Sequence, residues 1–320
     1  MNKQSIFSVV TGATITGKLK KPLTLVTDDS RKVIPGCCYI AVKGTQFDGH
    51  SAIPDAIAAG AAAIVAETPV SAEATEKNIC WVQVPDSRRA NGRIMSAWND
   101  FPSTKMVVLG VTGTNGKTTS AFLMDAMLTA SGRKVALLGT IKNKVGDVSV
   151  PANLTTPGLL DLFAFAAKAV EVGCTDLVME ASSHALHQGR VAGISYKSGL
   201  FSNLTQDHLD YHKTMEAYFE AKKLLFTKYQ AADGVSVINI DDEHGAKLCE
   251  ELKAAGRKVV GVSRLGVAKA DVKPNGVVEN TEDGLKFDLA GFGTAGFGAD
   301  AHFETALCGD FNVDNVMLVL

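Results

Sequence analysis

The chain has 320 residues, of which 46% are hydrophobic and 21% are charged, and its formal net charge is −2. This composition is typical of a soluble globular protein. The length predicts two domains, with three small ones as the alternative. The near-neutral charge gives no electrostatic basis for binding nucleic acid or an anionic membrane. No apolar run approaches the roughly 20 residues of a membrane helix, and the apolar part of the N-terminus is too short for a signal peptide. We therefore expect a cytoplasmic protein with small-molecule partners.

The first third of the chain has the pattern of one α/β domain. Short apolar runs bounded by turn residues predict strands, and apolar residues at helical spacing predict helices between them. The strands are predicted at 23–26, 38–42, 61–66 and 80–84, and the helices at 51–59 and 87–99. Phe101-Pro102-Ser103 has the composition of a linker. We predict a domain over residues 1–104.

The remainder, residues 105–320, alternates strands with helices, which predicts a second domain with a mostly parallel, doubly wound sheet. The strands are predicted at 106–111, 135–138, 176–179, 198–201 and 235–240, and the helices after residue 117 and at 159–172 and 214–229. From residue 271 the pattern changes. Asp283-Gly284 is a hairpin signal, the glycine-rich stretch 291–299 is expected to be a loop, and Phe311 opens a last helix.

A glycine-rich loop lies between the predicted strand 106–111 and the helix that follows it. This arrangement cradles phosphate, because backbone N–H groups of the loop point at the anion. Lys117 can reach the β- and γ-phosphates of a nucleotide, and the Thr118 hydroxyl can bind Mg²⁺. The P-loop match is partial, since Val111 replaces its first glycine, and the alternative is an ordinary tight turn. The predicted nucleotide contacts are Gly113, Thr114, Asn115, Gly116, Lys117, Thr118 and Thr119.

Polar residues stand at the C-terminal ends of other predicted strands, where doubly wound sheets bind their ligands. Glu180 follows an apolar strand, and a carboxylate there, beside a P-loop, serves Mg²⁺ directly or through water. His208 is interpreted as a metal ligand or an orienting base. Asp207 and Asp241 are further candidates. The alternatives are a solvated strand-end acid and a structural histidine. Structural roles are favoured for His184, His187 and His212.

One lysine falls on the apolar stripe of the predicted helix 214–229. That stripe consists, at helical spacing, of Met215, Tyr218, Phe219, Lys222, Leu225 and Phe226. A desolvated lysine has a lowered pKa, so its amine can be neutral and nucleophilic. Such an amine can add CO₂ to give a carbamate, which is a possible metal ligand. The other interpretation, which spacing alone favours, is that Lys222 lies at the edge of the stripe and its ammonium reaches water.

Three segments rich in hydroxyl or amide groups also fall at predicted sheet ends. They are Thr155-Thr156-Pro157, Ser182-Ser183 and Gln188-Gly189-Arg190. Such groups can hold a polar substrate, and Arg190 suits a carboxylate or a phosphate. The same residue types fit helix caps equally well.

Taken together, these motifs resemble those of the Mur ligases of peptidoglycan synthesis, and the resemblance spans the chain. The glycine loop, Gly-Thr-Asn-Gly-Lys-Thr-Thr, is the most specific match, and valine before it is the form that this family uses. The other matching segments are Asp29-Ser30-Arg31, Phe47-Asp48-Gly49-His50, Thr155-Thr156-Pro157, 180–184, 188–190, 203–208, 220–222 and 309–315. The chain is most similar to family members that add a diamino acid to UDP-N-acetylmuramoyl-L-alanyl-D-glutamate.

The resemblance implies an α/β fold with an N-terminal UDP-sugar-binding domain, a central P-loop ATPase domain and ATP-driven amide ligation. ATP would convert the D-glutamyl carboxylate to an acyl phosphate, which the amine of a diamino acid then attacks. Among diamino acids meso-diaminopimelate is the commoner choice in the family, and L-lysine is the alternative. The implied cofactors are ATP and Mg²⁺, and we expect a monomer.

The family also implies roles for single residues. Lys117 would serve the phosphates, Thr118 and Glu180 would hold one Mg²⁺, and His208 and carbamylated Lys222 would hold or orient a second. Asn312 or Asn315, together with the Asp241 region, would lie near the adenine or ribose. The residues implied to bind the sugar nucleotide are Ser30, Thr155, Thr156, Ser182, Gln188 and Arg190.

The family has a third, Rossmann-like C-terminal domain that selects the incoming amino acid. Because this chain stops within its last predicted helix, we expect it to be truncated and to lack that domain. Two alternative functions stay open. One is a sister ligase, such as folylpolyglutamate synthase or the enzyme that adds D-Ala-D-Ala. The other is a P-loop nucleotide-binding module without ligation.

Overall fold

The computed structural model describes residues 3–44, 47–291 and 301–320. The chain folds into two compact units. Unit 1 comprises residues 1–105, 157–168 and 188–194, and unit 2 comprises residues 106–156, 169–187 and 195–320. Most of the stretch 291–299, predicted as a loop, lies outside the described residues. Within the described part of the chain, no helix has both the length and the apolar character that crossing a membrane requires.

Unit 1 is built on a mostly parallel sheet in the order β1-β5-β4-β3-β2, in which β1 pairs antiparallel with β5. Its strands are β1 (Thr14–Thr16), β2 (Val26–Thr27), β3 (Cys38–Ile40), β4 (Ala63–Ala66) and β5 (Cys80–Gln83), and its helices are α1 (Ile53–Ala58), α2 (Ala72–Glu76) and α3 (Ser87–Trp98). Tyr39, Ile64 and Trp81 belong to one buried cluster with apolar residues of α1. Asp86 caps α3 by accepting the backbone N–H of Arg89.

Unit 2 contains the larger sheet and the chain's last helix. Its first strands are β6 (Val107–Thr112), β7 (Val135–Leu138), β8 (Lys142–Val145), β9 (Val148–Pro151), β10 (Asp176–Glu180), β11 (Tyr196–Phe201), β12 (Gln230–Asn239) and β13 (Lys258–Val262). The helices from here on are α4 (Lys117–Ala130), α5 (Leu159–Val172), α6 (Ser183–Gln188), α7 (Leu209–His212), α8 (Met215–Leu224), α9 (Glu243–Ala254) and α10 (Phe311–Val319). Helices α5 and α6 each contribute residues to both units.

The sheet of unit 2 has the order β13-β12-β11-β6-β10-β7-β8-β9. Neighbours from β13 to β7 are parallel, which confirms the predicted doubly wound sheet. Strand β6 lies between β10 and β11, and the register places Glu180 opposite Val111 and Phe201 opposite Thr112. The C-terminal ends of these three strands therefore meet at one sheet edge, where the glycine loop begins.

A smaller antiparallel sheet follows along the chain. Its strands are β14 (Lys273–Pro274), β15 (Glu279–Thr281), β16 (Gly284–Ala290) and β17 (Ala301–Thr305), and β16 pairs with each of the others. The predicted turn at Asp283-Gly284 joins β15 to β16. Leu285, Phe287 and Leu289 alternate along β16 and pack in one buried cluster with apolar residues of α10.

Three features of unit 2 differ from the sequence patterns. The patterns predict neither the antiparallel strands β8 and β9 nor the pair α9 and β13. Strand β9 is exposed throughout, so it has no buried face to give an alternating signal. The helix predicted over 214–229 is α-helical to Leu224 and continues as a π-helical turn over Leu225–Tyr229.

Candidate active site

The glycine loop joins the end of β6 to the start of α4. Gly113 and Gly116 have φ angles of +148° and +85°. A Cβ atom on Gly113 would stand 1.9 Å from Ser202 Oγ, and one on Gly116 would stand 2.3 Å from Asn315 Oδ1. Both the dihedral angles and the space therefore require glycine.

The polar stretch after β11 holds this loop in shape. The backbone N–H of Thr114 donates to the carbonyl of Asn203 at 2.9 Å, and that of Asn115 donates to Asn203 Oδ1 at 3.0 Å. The Thr205 backbone N–H donates to Thr114 Oγ1 at 3.0 Å. The loop is thus fixed at the N-terminus of α4, in the arrangement that binds phosphate.

Two lysines share one carbonyl of the loop. Lys117 Nζ donates to Gly113 O at 3.1 Å and to Thr114 O at 2.8 Å, and Lys222 Nζ donates to the same Gly113 oxygen at 2.6 Å. Burial lowers the pKa of Lys117. Both amines lie where an incoming polyphosphate would meet the loop.

Lys222 is 1% exposed, so the interpretation in which its ammonium reaches water is wrong. Its Nζ atom lies 4.4 Å from the centre of the Tyr218 ring, one helical turn earlier on α8. Burial, and secondarily the charge of Lys117, lower the pKa of Lys222 well below its ordinary value. A buried amine with a lowered pKa meets the requirement for adding CO₂.

Glu180, at the end of β10, is fully buried, and three donors hold its carboxylate. Thr118 Oγ1 donates to Oε2 at 3.0 Å, Thr140 Oγ1 donates to Oε2 at 2.9 Å, and the Thr140 backbone N–H donates to Oε1 at 2.8 Å. The Thr156 hydroxyl donates to the Glu180 backbone carbonyl at 2.8 Å. The alternative of a solvated strand-end acid is therefore wrong.

His208 is the N-cap residue of helix α7 and has a φ angle of +52°. Its backbone N–H donates to Asp207 Oδ1 at 2.8 Å, and its Nδ1 atom lies 3.5 Å from the same oxygen. The side chain is about half exposed, and its ring lies 4.8 Å from that of His184. His208 can therefore reach a ligand without losing its protein contacts.

These groups line one cavity of about 380 Å³. Its lining residues are Thr114, Asn115, Gly116, Lys117, Thr118, Thr119, Thr140, Thr155, Glu180, Ser182, Ser183, His208, Tyr218 and Lys222. Two amines, several hydroxyls, one carboxylate and a helix N-terminus face the same space. This chemistry suits a polyphosphate together with a second polar substrate.

Other predicted site residues lie elsewhere. Asn312 is buried in α10, where its Nδ2 donates to the Cys308 carbonyl at 2.8 Å and its Oδ1 accepts from Asn315 at 2.9 Å. Asp241 accepts from Ser263 Oγ and the Leu265 N–H. Neither belongs to the cavity lining among the described residues.

Three predicted sugar-nucleotide residues belong to unit 1. Ser30 begins a short 3₁₀ turn whose N-terminal cap, Asp29, accepts the backbone N–H and the side chain of Arg31. Arg190 Nε donates to Gln188 Oε1 at 2.8 Å. The roles predicted for Ser30, Gln188 and Arg190 stay predictions.

Comparison with known protein families decides the assignment. The family model described as "Mur ligase middle domain" matches residues 111–320, and the model described as "Mur ligase family, catalytic domain" matches residues 22–99. The chain belongs to the Mur ligase family. The predicted resemblance is confirmed on both segments.

Two curated relatives carry the name UDP-N-acetylmuramoyl-L-alanyl-D-glutamate--2,6-diaminopimelate ligase. The one from Cytophaga hutchinsonii is 41% identical over 95% of this chain and 59% of its own length. The one from Geobacter metallireducens is 36% identical over 99% of this chain and 60% of its own length. This Mur ligase chain therefore spans about three fifths of those relatives.

Solved structures show the same fold. One, of a protein with the same ligase name, has a TM-score of 0.80 at 28% identity and covers 100% of this chain and 62% of that chain. MurF from Acinetobacter baumannii has a TM-score of 0.64 at 18% identity, covers 99% of this chain and 63% of that chain, and shares the fold alone.

The donor set of this Mur ligase fits magnesium. No three His, Cys, Asp or Glu side chains among the described residues are grouped so as to hold a metal ion. Magnesium in nucleotide sites, however, needs one or two carboxylates and completes its oxygen ligands with phosphate and water. The Thr118 hydroxyl and the buried Glu180 carboxylate, 3.0 Å apart, offer such oxygens.

Sequence reasoning missed Thr140 as a site residue of this Mur ligase. It follows β7 after Gly139, and a Cβ atom on Gly139 would stand 2.7 Å from Glu180 Oε1. The strand-end rule that identified Glu180 would have found Thr140 if it had been applied to 135–138. Tyr218 was placed on the apolar stripe, but its contact with the Lys222 amine was not predicted.

His212 gives the Mur ligase fold a predictable acid sensitivity. The ring is 7% exposed, its Nε2 lies 2.9 Å from Ser183 Oγ, and burial, with smaller effects of His184 and His187, lowers its pKa from 6.5 to about 4. Between these values the unfolded chain binds more protons, so stability falls as the pH drops. From pH 7 to below pH 4, we expect the contribution of His212 to lower the free energy of unfolding by about 3 kcal/mol.

This expectation is tested by denaturant unfolding of the wild type and of His212→Gln across pH 4–7. The difference between the two unfolding free energies isolates the contribution of the His212 ring from that of other titrating groups. The wild type should lose more stability than the variant as the pH falls. If the free energy of unfolding fell with pH by the same amount in both proteins, the assignment of a buried, neutral histidine would be contradicted.

Proposed function

We propose that the protein carries the nucleotide-binding and carboxylate-activating centre of an ATP-dependent amide ligase. The acceptor is UDP-N-acetylmuramoyl-L-alanyl-D-glutamate, and the product is its amide with a diamino acid. The observation that carries this proposal is the meeting, in one cavity, of a phosphate loop, a buried carboxylate and the buried amine of Lys222. A nucleotide-binding module needs no buried lysine beside its phosphate loop.

In this proposal the loop N–H groups and Lys117 bind the β- and γ-phosphates and turn the γ-phosphorus toward the acceptor. An oxygen of the D-glutamyl carboxylate attacks that phosphorus and ADP leaves, which gives an acyl phosphate. The amine of the diamino acid then attacks the acyl carbon, and phosphate leaves from the tetrahedral intermediate with the original carboxylate oxygen. Positioning and charge neutralisation supply most of the catalysis.

Thr118 and Glu180 would hold Mg²⁺, with His208 and Lys222 serving a second ion. When bound, Mg²⁺ supplies charge neutralisation at the phosphate oxygens. We propose that Lys222 is carbamylated, because a carbamate would place a negative oxygen ligand where an amine now faces Gly113. The lowered pKa of Lys222, caused first by burial, favours that reaction.

The residues proposed to hold the acceptor are Ser30, Thr155, Thr156, Ser182, Gln188 and Arg190. The names of the curated relatives favour 2,6-diaminopimelate over L-lysine as the incoming amine. The protein is expected to be a cytoplasmic monomer, and the nucleobase of ATP is proposed to lie toward Asn312.

Phosphate release from ATP, measured with the complete protein, tests the proposal. We expect release to require both the acceptor and a diamino acid. Release without the acceptor would favour a simple nucleotide-binding module. Release with a folate or with the tripeptide form of the acceptor, but not with the dipeptide form, would favour a sister ligase.

A further inference from the structure

The hydroxyl of Thr140 contacts two different functional groups of the cavity. Its Oγ1 atom lies 2.9 Å from Glu180 Oε2 and 3.1 Å from Thr155 Oγ1. Its position follows from the sheet, because β7 pairs in parallel with β10 and places Leu138 opposite Met179. Glu180 follows Met179 directly, and Thr140 follows Leu138 after Gly139, so the Thr140 hydroxyl lies beside the Glu180 side chain.

A count of protons fixes the direction of these hydrogen bonds. A threonine hydroxyl has a single proton, and an ionised carboxylate only accepts. Thr140 must therefore donate its proton to Glu180, since the carboxylate has none to give. In the hydrogen bond between the two threonines, Thr155 is therefore the donor and Thr140 Oγ1 is the acceptor. The lone pairs of Thr155 stay available on the side that lines the cavity.

We propose that Thr140 is a positioning residue that couples the metal-binding carboxylate to the acceptor-binding hydroxyl. It orients Glu180 toward a divalent cation and, through the same oxygen, makes Thr155 a hydrogen-bond acceptor. The group recognised at Thr155 is then a donor, an amide N–H or a hydroxyl of the acceptor. A phosphate or carboxylate oxygen is disfavoured there. This inference rests on the proposed function for the identity of the acceptor.

The backbone of this segment supports the same role. The Thr140 N–H donates to the other oxygen of the carboxylate, Glu180 Oε1, at 2.8 Å. Gly139 leaves the space that this oxygen occupies. Thr140, which follows β7, therefore holds both carboxylate oxygens, and its side-chain bond can be removed while its backbone bond stays.

Thr140→Val removes the hydroxyl and keeps both the shape and the backbone N–H. Titration with Mn²⁺ in the presence of ADP, followed by electron paramagnetic resonance, measures the affinity for the divalent cation. Calorimetry with UDP-N-acetylmuramoyl-L-alanyl-D-glutamate reports on the acceptor. We expect Thr140→Val to weaken both affinities by about tenfold each, the usual effect of one hydrogen bond to a charged or buried group. Thr140→Ser should restore both.

The matched control is Thr175→Val. The Thr175 hydroxyl also donates to a buried carboxylate, Asp176 Oδ2 at 2.7 Å, but at the start of β10 and thus at the opposite end of the sheet. This variant should leave both affinities unchanged. Thr155→Val supplies a second test, independent of the folding of Thr140→Val. Thr155→Val should weaken acceptor binding by a similar factor and leave Mn²⁺ binding unchanged.

The outcomes separate this inference from the proposed function. If the wild type does not bind the acceptor, the proposed function fails. If the wild type binds it and Thr140→Val binds the acceptor or Mn²⁺ as tightly as the wild type, the coupling role of Thr140 is wrong. In the double variant Thr140→Val, Thr155→Val, the Thr155 substitution should lower the acceptor affinity by a smaller factor than it does alone. The reason is that Thr155 has already lost its hydrogen-bond partner. Additive losses would contradict the shared hydrogen-bond chain.

Discussion

Lys222→Met is expected to reduce acceptor-dependent phosphate release by at least about 100-fold, the usual effect of removing one group that stabilises the transferring charge. The same variant should be as stable as the wild type or more stable. Methionine fills a similar volume and removes the cost of burying the amine of Lys222, a residue that is 1% exposed. Loss of activity with retained stability would separate a functional lysine from a structural one.

The neighbouring lysine provides the control. Lys223 follows Lys222 on α8 but forms ion pairs with Glu251 and Glu220 at 2.6 and 3.2 Å. Lys223→Met should therefore change phosphate release less than twofold. Full activity of Lys222→Met would contradict both the carbamate and the role of Lys222 in the site. Partial rescue of Lys222→Ala by bicarbonate with a short carboxylate would support the carbamate specifically.

Gly116→Ala should weaken nucleotide binding by about 100-fold, which corresponds to roughly 2.7 kcal/mol. A Cβ atom there would meet Asn315 Oδ1 at 2.3 Å. Asn315 is buried and hydrogen-bonded to Asn312, so we expect the loop to shift and its N–H groups to lose their convergence on phosphate. The variant also places a side chain at a φ of +85°, which costs about 1–2 kcal/mol of stability.

Gly132→Ala separates these two effects. Gly132 has nearly the same φ, +82°, but no atom lies within 4 Å of the position that a Cβ atom would take there. Both variants should lose a similar amount of stability from the dihedral angle, and only Gly116→Ala should lose nucleotide affinity. Calorimetric titration with ADP and Mg²⁺ measures the affinity. Equal affinities for the two variants would contradict the assignment of the loop.

The sequence was sufficient for those features that depend on local pattern. Continuous apolar runs predict the parallel strands of unit 2 other than β13, and the glycines with Lys117 predict the phosphate loop. Helical spacing places Lys222 among apolar residues, but spacing alone favours an ammonium that reaches water, which is wrong because the side chain is buried. Such features are predictable because the neighbours that matter lie within one turn or one strand.

Features that depend on strand order were not predictable in the same way. Thr140 acts on Glu180 because β7 lies beside β10 in the sheet, and a single sequence does not state which strands are neighbours. Strands β8 and β9 extend the sheet without a buried face of their own. The shared contact of Lys117 and Lys222 with Gly113 likewise joins residues 109 positions apart.

The central claim is that this cavity activates a carboxylate by phosphorylating it, and oxygen transfer tests it most directly. The acceptor is prepared with ¹⁸O at both oxygens of the reacting D-glutamyl carboxylate and incubated with the complete protein, ATP, Mg²⁺ and diaminopimelate. If an acyl phosphate forms, one ¹⁸O atom leaves with each inorganic phosphate released. Mass spectrometry of the phosphate should therefore show one heavy oxygen. Phosphate released without the label would contradict the account.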